Sequence, residues 1–251
     1  IHMKKVLFIG ATHGNETIGL EALATLSNQP DFSQIIGNPR ALALKQRYTE
    51  YDLNRAGQGN PTAPEYEKRR AVEILAEAKK YQYTVDLHGT YQNTGVFLLV
   101  TNPTPQNLRL ASYFDIPNLV VWPSVTPEMQ YPVSEFFSCG IEIESGPQTN
   151  PQTTIELAAY LEDFLKNLPT READSNWSMR LLQKNLWEMC GAIPAEPGLV
   201  EKLKEFQIIT HRNETFAPIF VGTYEYANIL GYKLKSHTPH EFKNRFLSEQ
   251  L

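Results

Sequence analysis

The chain has 251 residues, a formal net charge of −5 at pH 7 and 41% hydrophobic residues. This composition is typical of a globular protein and excludes a disordered chain, which combines low hydrophobicity with high charge. The mild acidity argues against a nucleic-acid partner, because phosphate contacts call for a basic surface. No apolar run reaches the roughly 20 residues that span a bilayer, and none resembles a signal peptide. We therefore expect a cytoplasmic protein with no membrane partner.

The first two-thirds of the chain alternate strand-like and helix-like segments. Short apolar runs predict strands at residues 4–10, 35–36, 41–44, 83–88, 95–101, 118–122 and 139–144. Amphipathic or Pro-started segments predict helices at residues 16–26, 64–81, 105–114 and 151–168. Residues 48–64 are rich in Gly, Pro and Asn, and predict a long loop of the kind that often carries function. The alternation predicts an α/β fold with a central sheet covered by helices.

The regular alternation of strand-like and helix-like segments ends after residue 169. Residues 179–189 fit a helix or a strand, and short strand candidates follow at 208–209, 217–221 and 232–234. We therefore predict two domains, a larger α/β domain at 3–169 and a small β-rich appendage at 170–251.

We expect no catalytic or metal-binding role for the C-terminal histidines and the two cysteines. His211, His237 and His240 lie in polar C-terminal segments and are expected to be solvated. Cys139 and Cys190 do not form a metal-type pair, and we expect reduced thiols packed as small apolar groups, with a single disulfide as the alternative.

His13 and Glu16 lie three residues apart where a loop enters a helix. One turn at a helix start can bring an imidazole and a carboxylate onto a single ion, and zinc accepts that mixture of ligands. The alternative is that Asn15 or Glu16 caps the helix and His13 is an ordinary loop residue. The spacing alone favours this alternative, because it is common by chance.

His88 ends an apolar strand, and Asp86 lies two residues earlier on the same face. Ligands of open α/β sheets gather at such strand ends. Asp86 could accept a hydrogen bond from a metal-bound imidazole and orient it. Taken alone, a histidine at a strand end is more often structural.

The long loop carries arginines beside an asparagine. The planar guanidinium of arginine suits a carboxylate, so Asn54 and Arg55 could clamp an anionic substrate group. Arg47 could stabilise a developing oxyanion. Surface salt bridges are the alternative role for each arginine.

Glu142 and Glu144 alternate with isoleucines in a strand that otherwise reads as buried. Burying a charge is costly unless it is paired or functional. Either glutamate could be the general base that takes a proton from metal-bound water. The alternative is an edge strand with a solvated acidic face.

The joint pattern is more specific than its parts. His-Gly-x-Glu, Asn-Pro-x-Ala, Arg-Tyr, Asp-Leu-Asn-Arg, Asp-Leu-His and Glu-x-Gly-Pro-Gln follow one another in this order. This order resembles the aspartoacylase and succinylglutamate desuccinylase family, a branch of the zinc-carboxypeptidase fold, strongly over residues 4–150 and weakly beyond. The resemblance implies a mixed central sheet flanked by helices, and a zinc-dependent amidohydrolase that removes the acyl group from an N-acyl amino acid. It implies one Zn²⁺ per chain and leaves open whether the chain forms a homo-oligomer.

The resemblance also implies which residues hold the metal and move the proton. His13, Glu16 and His88 would be the zinc ligands. The catalytic glutamate of the family stands in a Glu-x-Gly-Pro-Gln context, which matches Glu144. Two extra residues separate the family's Gly-Ile-Glu landmark from Gly-Pro-Gln here, so alignment from the left selects Glu142. We prefer Glu144, and both remain candidates.

For the substrate, the resemblance implies that Arg47 polarises the scissile carbonyl while Asn54 and Arg55 hold the carboxylate of the released amino acid. A C-terminal segment similar to one in the family points to Tyr226 as a substrate contact. Upstream of the glutamates, aspartoacylases use a Tyr and an Arg to recognise the second carboxylate of the substrate. This chain offers Tyr131 but no arginine there, which argues against strict recognition of an aspartyl side chain.

Two alternatives remain open. A zinc carboxypeptidase that trims peptides would use the same metal site and the same Asn-Arg clamp. Pocket depth separates the two activities, because a capped site admits small N-acyl amino acids and an open groove admits peptides. A non-catalytic metal-binding protein of the same fold is the lesser alternative.

Overall fold

The computed structural model describes residues 5–26, 32–123, 131–223 and 228–247. Ten strands form a single sheet in the order β2-β1-β3-β6-β4-β5-β7-β10-β9-β8. Their bounds are β1 Val6–Gly10, β2 Phe32–Ile36, β3 Tyr83–Gly89, β4 Gly95–Val100, β5 Asn118–Val121, β6 Gly140–Gly146, β7 Asn185–Pro194, β8 Ile209–His211, β9 Glu214–Ile219 and β10 Ile229–His237.

The α-helices found within these ranges flank the sheet. Their bounds are α1 Ile18–Thr25, α2 Pro39–Leu44, α3 Tyr66–Ala78, α4 Pro105–Ser112, α5 Pro151–Ala173, α6 Trp177–Leu181 and α7 Pro239–Phe246. No helix in the described part of the chain combines the length and apolar character that a bilayer crossing requires.

The centre of the sheet is parallel. Strand β3 pairs in parallel with β1 on one side and with β6 on the other, and the register places His88 opposite Glu144. Strand β4 runs antiparallel to β6, which makes the sheet mixed. Because the carboxyl ends of β1, β3 and β6 meet at one edge, the loops that follow them share a single site.

A large apolar cluster covers one face of the sheet. Every residue of β1 is buried, and Phe8 contacts Phe32 and Phe164 edge to face. Phe164 on α5 also stacks on Phe114 with ring centroids 4.0 Å apart. These aromatic contacts fix α5 against the strands that carry the site.

The predicted fold class is confirmed, since a mixed central sheet lies between helices. The prediction of a strand at residues 41–44 is wrong, because this segment belongs to α2. The Asn38 side chain accepts a hydrogen bond from Ala41 N at 3.1 Å, and Pro39 occupies the first turn. An N-cap followed by proline is a helix start, and these two signals outweigh the short apolar run.

The C-terminal strands continue the same sheet. Residues 179–189 contain both of the anticipated elements, the end of α6 and the start of β7. Strand β7 pairs in parallel with β5 and antiparallel with β10. The predicted boundary after residue 169 falls inside α5, which ends at Ala173. The division into two domains stays a prediction.

The expectation of a solvated His237 is wrong. The imidazole is buried, and its Nε2 lies 2.9 Å from Glu188 Oε2, while Arg245 on α7 pairs with the same carboxylate. His237 points inward at the end of β10, where α7 covers it. His240 is exposed, as expected, whereas His211 is partly exposed and pairs with a neighbouring glutamate.

Both cysteines are free thiols. Cys139 is partly buried and packs against the main apolar cluster. Cys190 is exposed, so the expectation that it packs as a small apolar group is wrong. Cys190 lies on β7 at a position that faces outward, whereas the preceding residue, Met189, is buried.

Candidate metal centre and active site

Three side chains from one loop and one strand end converge on one buried point. His13 follows β1, Glu16 precedes α1, and His88 lies near the end of β3. His13 Nδ1 lies 2.8 Å from Glu16 Oε1, and His88 Nδ1 lies 3.1 Å from Glu16 Oε2. One ligand atom from each residue lies within 4.8 Å of the other two, so the three could hold a single metal ion. The structure thus brings together the three predicted ligands.

The loop that carries His13 is held by close contact with α2. A Cβ atom on Gly14 would lie 2.1 Å from the carbonyl carbon of Ala41, so only glycine fits there. Gly14 N donates to Arg47 O at 3.2 Å, and Glu16 N donates to His13 O at 3.0 Å. The second bond closes a tight turn, which places the imidazole and the carboxylate on the same side.

Each imidazole has a second carboxylate on its other ring nitrogen. His13 Nε2 lies 3.0 Å from Asp52 Oδ1, and His88 Nε2 lies 3.2 Å from Asp86 Oδ2. Thr12 donates to Asp86 Oδ1 at 2.8 Å and fixes that carboxylate. Carboxylates in this position orient histidine ligands and make them more basic. Asp86 was anticipated from its place on the strand, whereas Asp52 was not.

The electrostatics of the cluster stabilise positive charge at its centre. Burial lowers the pKa of His13, but the Glu16 and Asp52 carboxylates raise it above its ordinary value. Burial likewise lowers the pKa of His88, and Asp86 and Glu16 raise it well above that value. Burial raises the pKa of Glu16, whereas the two imidazoles hold it far below its usual range. A proton or a metal cation supplies that charge.

The donor chemistry fits a metal. His13 Nδ1 is buried and has no hydrogen-bond partner of acceptable geometry among the described residues. A buried nitrogen left without a hydrogen bond is costly unless something else occupies its lone pair. Two imidazoles and one carboxylate are the ligand types that zinc accepts at catalytic sites, where a fourth position stays open.

The two glutamates of β6 lie at different depths. Opposite β3, Glu142 pairs with Asp86 and Glu144 pairs with His88, so Glu144 is nearer the edge that carries the site. Ser134 Oγ donates to Glu142 at 2.6 Å, and Glu142 groups with Asp86 and His88 as a second cluster that could hold a cation. No hydrogen bond from another described residue engages the Glu144 carboxylate. Glu144 therefore faces the cleft with the freer carboxylate.

Burial raises the pKa of Glu144 to about 8, with His88 lowering it and the nearby Glu16 and Glu142 raising it. Burial also raises the pKa of Glu142. A buried carboxyl group beside other carboxylates holds a proton more tightly than one in water, and such groups serve in acid–base catalysis.

The arginines and the asparagine surround the same space. Arg47 Nε lies 3.2 Å from Asp52 Oδ2, and its Nη1 lies 3.3 Å from Glu16 Oε1. A 3₁₀ turn at Leu53–Arg55 starts where Asp52 Oδ1 accepts from Asn54 N at 2.9 Å. Asn54 is buried, and its Oδ1 has no partner within the described ranges. Asp52 therefore organises both the histidine and the predicted clamp.

A cleft of about 320 Å³ opens above these groups. The charged residues among the described ones that line it are His13, Glu16, Arg47, Arg55, Glu142 and Glu144. Its lining also includes the apolar side chains of Leu99, Trp122 and Phe220, together with polar residues such as Thr101 and Thr223. These three were missed from the sequence, because hydrophobic residues in strands read as ordinary core. That they line the same cleft as the candidate metal ligands is a property of the tertiary structure.

Two tyrosines are predicted to contact the substrate. The side chain of Tyr131 is 54% exposed, and the described lining includes its neighbour Pro132 but not Tyr131 itself. Tyr226 lies outside the described residues. Their assigned roles stay predictions.

The comparisons with known proteins point to one family. A family model described as the succinylglutamate desuccinylase/aspartoacylase catalytic domain matches residues 2–168. A probable aspartoacylase of Acaryochloris marina is 34% identical over 166 residues, which cover 58% of this chain and 56% of that protein. An N-acyl-aromatic-L-amino acid amidohydrolase (carboxylate-forming) of Rattus norvegicus is 30% identical over 191 residues, which cover 65% of this chain and 60% of that protein. The matched segment therefore spans less than two-thirds of these relatives.

Solved structures share the fold over almost the whole chain. Murine aminoacylase 3 aligns with a TM-score of 0.68 at 22% identity, covering 94% of this chain and 96% of that one. The succinylglutamate desuccinylase from Chromobacterium violaceum aligns with a TM-score of 0.66 at 16% identity, covering 94% and 85%. The family model covers more than half of the chain and includes every residue of the metal cluster, and we conclude that the chain belongs to the succinylglutamate desuccinylase/aspartoacylase family.

Proposed function

We propose that the chain is a zinc-dependent amidohydrolase that cleaves N-acyl amino acids into a carboxylate and an amino acid. The carrying observation is the convergence of His13, Glu16 and His88 on one buried point beside Glu144. Family membership supports the same reaction class. We further propose one zinc ion per chain and a cytoplasmic enzyme, in keeping with its free thiols.

His13, Glu16 and His88 would hold the zinc ion, which when bound acts as a Lewis acid and makes water more acidic. Asp52 and Asp86 orient the two imidazoles and favour ring nitrogens that are free to bind the metal. The same ring orientation keeps both histidines turned towards Glu16.

Glu144 is the general base in this proposal. It accepts a proton from the attacking water and delivers it to the leaving amine, so one carboxylate serves both halves of the reaction. Its pKa of about 8 without a cation favours the protonated form at neutral pH. A positive charge nearby lowers the pKa of a carboxyl group, which would bring Glu144 into the range in which it can take up and release a proton.

The arginines bind the charges of the substrate. Arg47 lies against Glu16, where it would stabilise the oxyanion that forms from the scissile carbonyl. Asn54 and Arg55 would hold the carboxylate of the amino acid product. Because Asp52 bonds both Arg47 and the turn that carries Asn54, the two binding functions share one support.

The cleft wall favours substrates with an apolar side chain. Arg47 and Arg55 are the cations among its described lining residues, and both already have roles. Leu99, Trp122 and Phe220 supply no cation that would neutralise a second carboxylate. We therefore propose N-acyl amino acids with apolar or aromatic side chains rather than N-acyl aspartate, in line with the name of the rat relative.

A carboxypeptidase acting on peptides remains the second candidate. The Asn-Arg clamp suits a peptide terminus equally well. A cleft of about 320 Å³ is near the lower end of ligand pockets, which favours a small substrate.

Assays of the zinc-loaded protein on N-acetylphenylalanine, N-acetylaspartate and short peptides test the proposal. We expect release of phenylalanine at a kcat/KM at least about tenfold above that for N-acetylaspartate, because a charged group without a partner is poorly accommodated in an apolar subsite. Glu144→Gln serves as the inactive control, and zinc content is measured in both proteins. Faster cleavage of peptides would favour the carboxypeptidase, and absence of hydrolysis with zinc bound would favour a non-catalytic protein.

A further inference from the structure

The apolar wall of the cleft ends in a backbone segment with an unusual conformation. Phe220 directly follows β9 and has φ 56°, in the left-handed region that a bulky aromatic residue rarely adopts. Its ring centroid lies 5.7 Å from that of Trp122 and 5.8 Å from that of Phe97. Phe220, Gly222 and Thr223 all line the cleft. Something other than local preference must therefore hold Phe220 in place.

The Glu205 carboxylate holds the backbone at Phe220 in this conformation. Its Oε2 accepts a hydrogen bond from Phe220 N at 2.9 Å, and its Oε1 accepts one from Val221 N at 2.8 Å. One carboxylate thus engages two consecutive amides with its two oxygens. Burial raises the pKa of Glu205 to about 7, although the two amides oppose this rise. Above that pH the acceptor is ionised, and hydrogen bonds to an ionised acceptor are roughly twice as strong as neutral ones. Among the described residues these amides are the hydrogen-bond partners of Glu205, and no ion pair competes for it.

The neighbouring residue holds the same segment at a second point. Phe206 N donates to Pro218 O at 2.9 Å. The Phe206 ring packs edge to face on Phe97 at 5.3 Å and contacts Trp187 at 5.7 Å. Residues 205–206 therefore clamp the chain on both sides of the turn at Phe220.

We infer that Glu205 is a positioning residue for the substrate subsite, because it fixes the backbone at Phe220 and so sets the wall that contacts the substrate side chain. The assignment rests on the proposed function, since it presumes a substrate in this cleft. Glu205 itself does not line the cleft within the described residues, and it acts through Phe220.

Amide hydrogen exchange and substrate selectivity test the inference together. Glu205→Gln replaces one acceptor oxygen with an NH₂ group that faces a backbone N–H. We expect exchange at Phe220 and Val221 to accelerate at least about tenfold, because the loss of a charge-assisted bond exposes these amides. Glu201→Gln is the matched control, because it makes the same substitution at an exposed position on the preceding 3₁₀ turn.

Kinetics of the same variant separate positioning from general damage. For N-acetylphenylalanine we expect KM to rise about fivefold to tenfold, whereas kcat for N-acetylglycine stays within about twofold, because glycine has no side chain to meet Phe220. Glu205→Asp keeps the charge and should recover part of the loss. It also provides a second variant in case Glu205→Gln fails to fold.

Unchanged exchange at both amides would overturn the anchoring role, whether or not the wild-type protein hydrolyses any substrate. Faster exchange with unchanged selectivity would overturn the positioning role. An equal loss of activity on glycine and phenylalanine substrates would also overturn it. A wild-type protein that binds zinc and cleaves none of the substrates would count against the proposed function, and exchange would still decide the anchoring by Glu205.

Discussion

Each histidine of the candidate metal centre lies between two carboxylates. His13 and His88 both direct Nδ1 towards Glu16, and each directs Nε2 towards an aspartate. This arrangement fixes the rotation of both rings and leaves the same nitrogen facing the centre in each. We therefore expect substitution of an aspartate behind a histidine to lower zinc affinity, and substitution of the general base to lower kcat while zinc is retained.

Replacing each of the two glutamates of β6 by glutamine tests which of them is the general base. Glu144→Gln should lower kcat by about 10²- to 10⁴-fold, because the amide cannot accept the proton, and it should retain zinc. Glu142→Gln should lower kcat by a smaller factor, because Glu142 already accepts a hydrogen bond from Ser134 and lies two residues farther from the strand end. The measurements are kcat and bound zinc for both variants. A near-normal turnover of Glu144→Gln together with a severely impaired Glu142→Gln would reverse the assignment.

Asp52→Asn tests the carboxylate behind His13. We expect zinc affinity to fall about 10- to 100-fold, because the outer carboxylate orients the imidazole and makes it more basic. Competition with a chromophoric chelator measures the affinity. Glu162→Gln on the exposed face of α5 is the control and should leave the affinity unchanged. An unaltered affinity in Asp52→Asn would remove Asp52 from the site.

Among the secondary-structure elements, helix α2 and the register of the central strands position the side chains of the candidate site. Helix α2 contacts the His13 loop so closely that Gly14 has no room for a Cβ atom. The strand register places Glu144 beside His88 and Glu142 beside Asp86. Both glutamates line the cleft, and position along one strand thus places one carboxylate beside a predicted metal ligand and the other beside the aspartate behind it.

Lys184 joins two elements and should make stability depend on pH. Its Nζ donates to Ile116 O at 2.8 Å and to Phe114 O, so it ties the chain after α4 to the start of β7. Burial lowers its pKa from 10.5 to about 8. The folded state therefore holds the proton less tightly than the unfolded state, and the associated stability is present above pH 10.5 and lost as the pH falls through 8.

Comparison with Lys184→Met measures this contribution. The free energy of unfolding of the wild type, relative to the variant, should rise by on the order of 1–3 kcal/mol between pH 8 and pH 10.5. Urea unfolding at several pH values gives both curves, and other titrating groups cancel in the difference. A difference that stays constant across this range would show that the lysine keeps its ordinary pKa when folded.

For the whole molecule, the metal should link distant parts of the chain. His13 and His88 belong to neighbouring central strands or their loops, so a shared ion restrains the middle of the sheet. Zinc at 100 times its dissociation constant should add about 2.7 kcal/mol to the free energy of unfolding. For a chain of this size, that corresponds to a rise in Tm of roughly 5–11 °C.

Thermal melts with zinc and with a chelator measure this effect. Chelation should lower Tm and abolish hydrolysis, and re-addition of zinc should restore both. His88→Ala should remove the response of Tm to zinc, whereas His240→Ala, at an exposed position on α7, should keep it. A Tm that does not respond to zinc in the wild type would contradict a structural link through the metal.

Features that depend on neighbours along the chain can be predicted from the amino-acid sequence alone. The alternation of strands and helices is readable in this way, and local motifs single out His13, Glu16, His88 and Asn54 as candidate site residues. Local signals also have limits, since residues 41–44 read as a strand when Asn38 and the following proline start a helix. The hydrogen bond from Ala41 N to the Asn38 side chain starts a helix in that segment, and the apolar run at residues 41–44 does not reveal this bond.

Contacts between residues that are distant in the sequence become visible only in the folded chain. Asp52 is 39 residues from His13, and no spacing rule connects an outer carboxylate to its histidine. Trp122 and Phe220 read as core, yet the pairing of β5, β7, β10 and β9 brings them together as the wall of the cleft. The buried pair of His237 and Glu188 likewise depends on α7 folding over β10. Contacts of this kind follow from strand order and packing, which are set by the free energy of the whole chain rather than by any local segment.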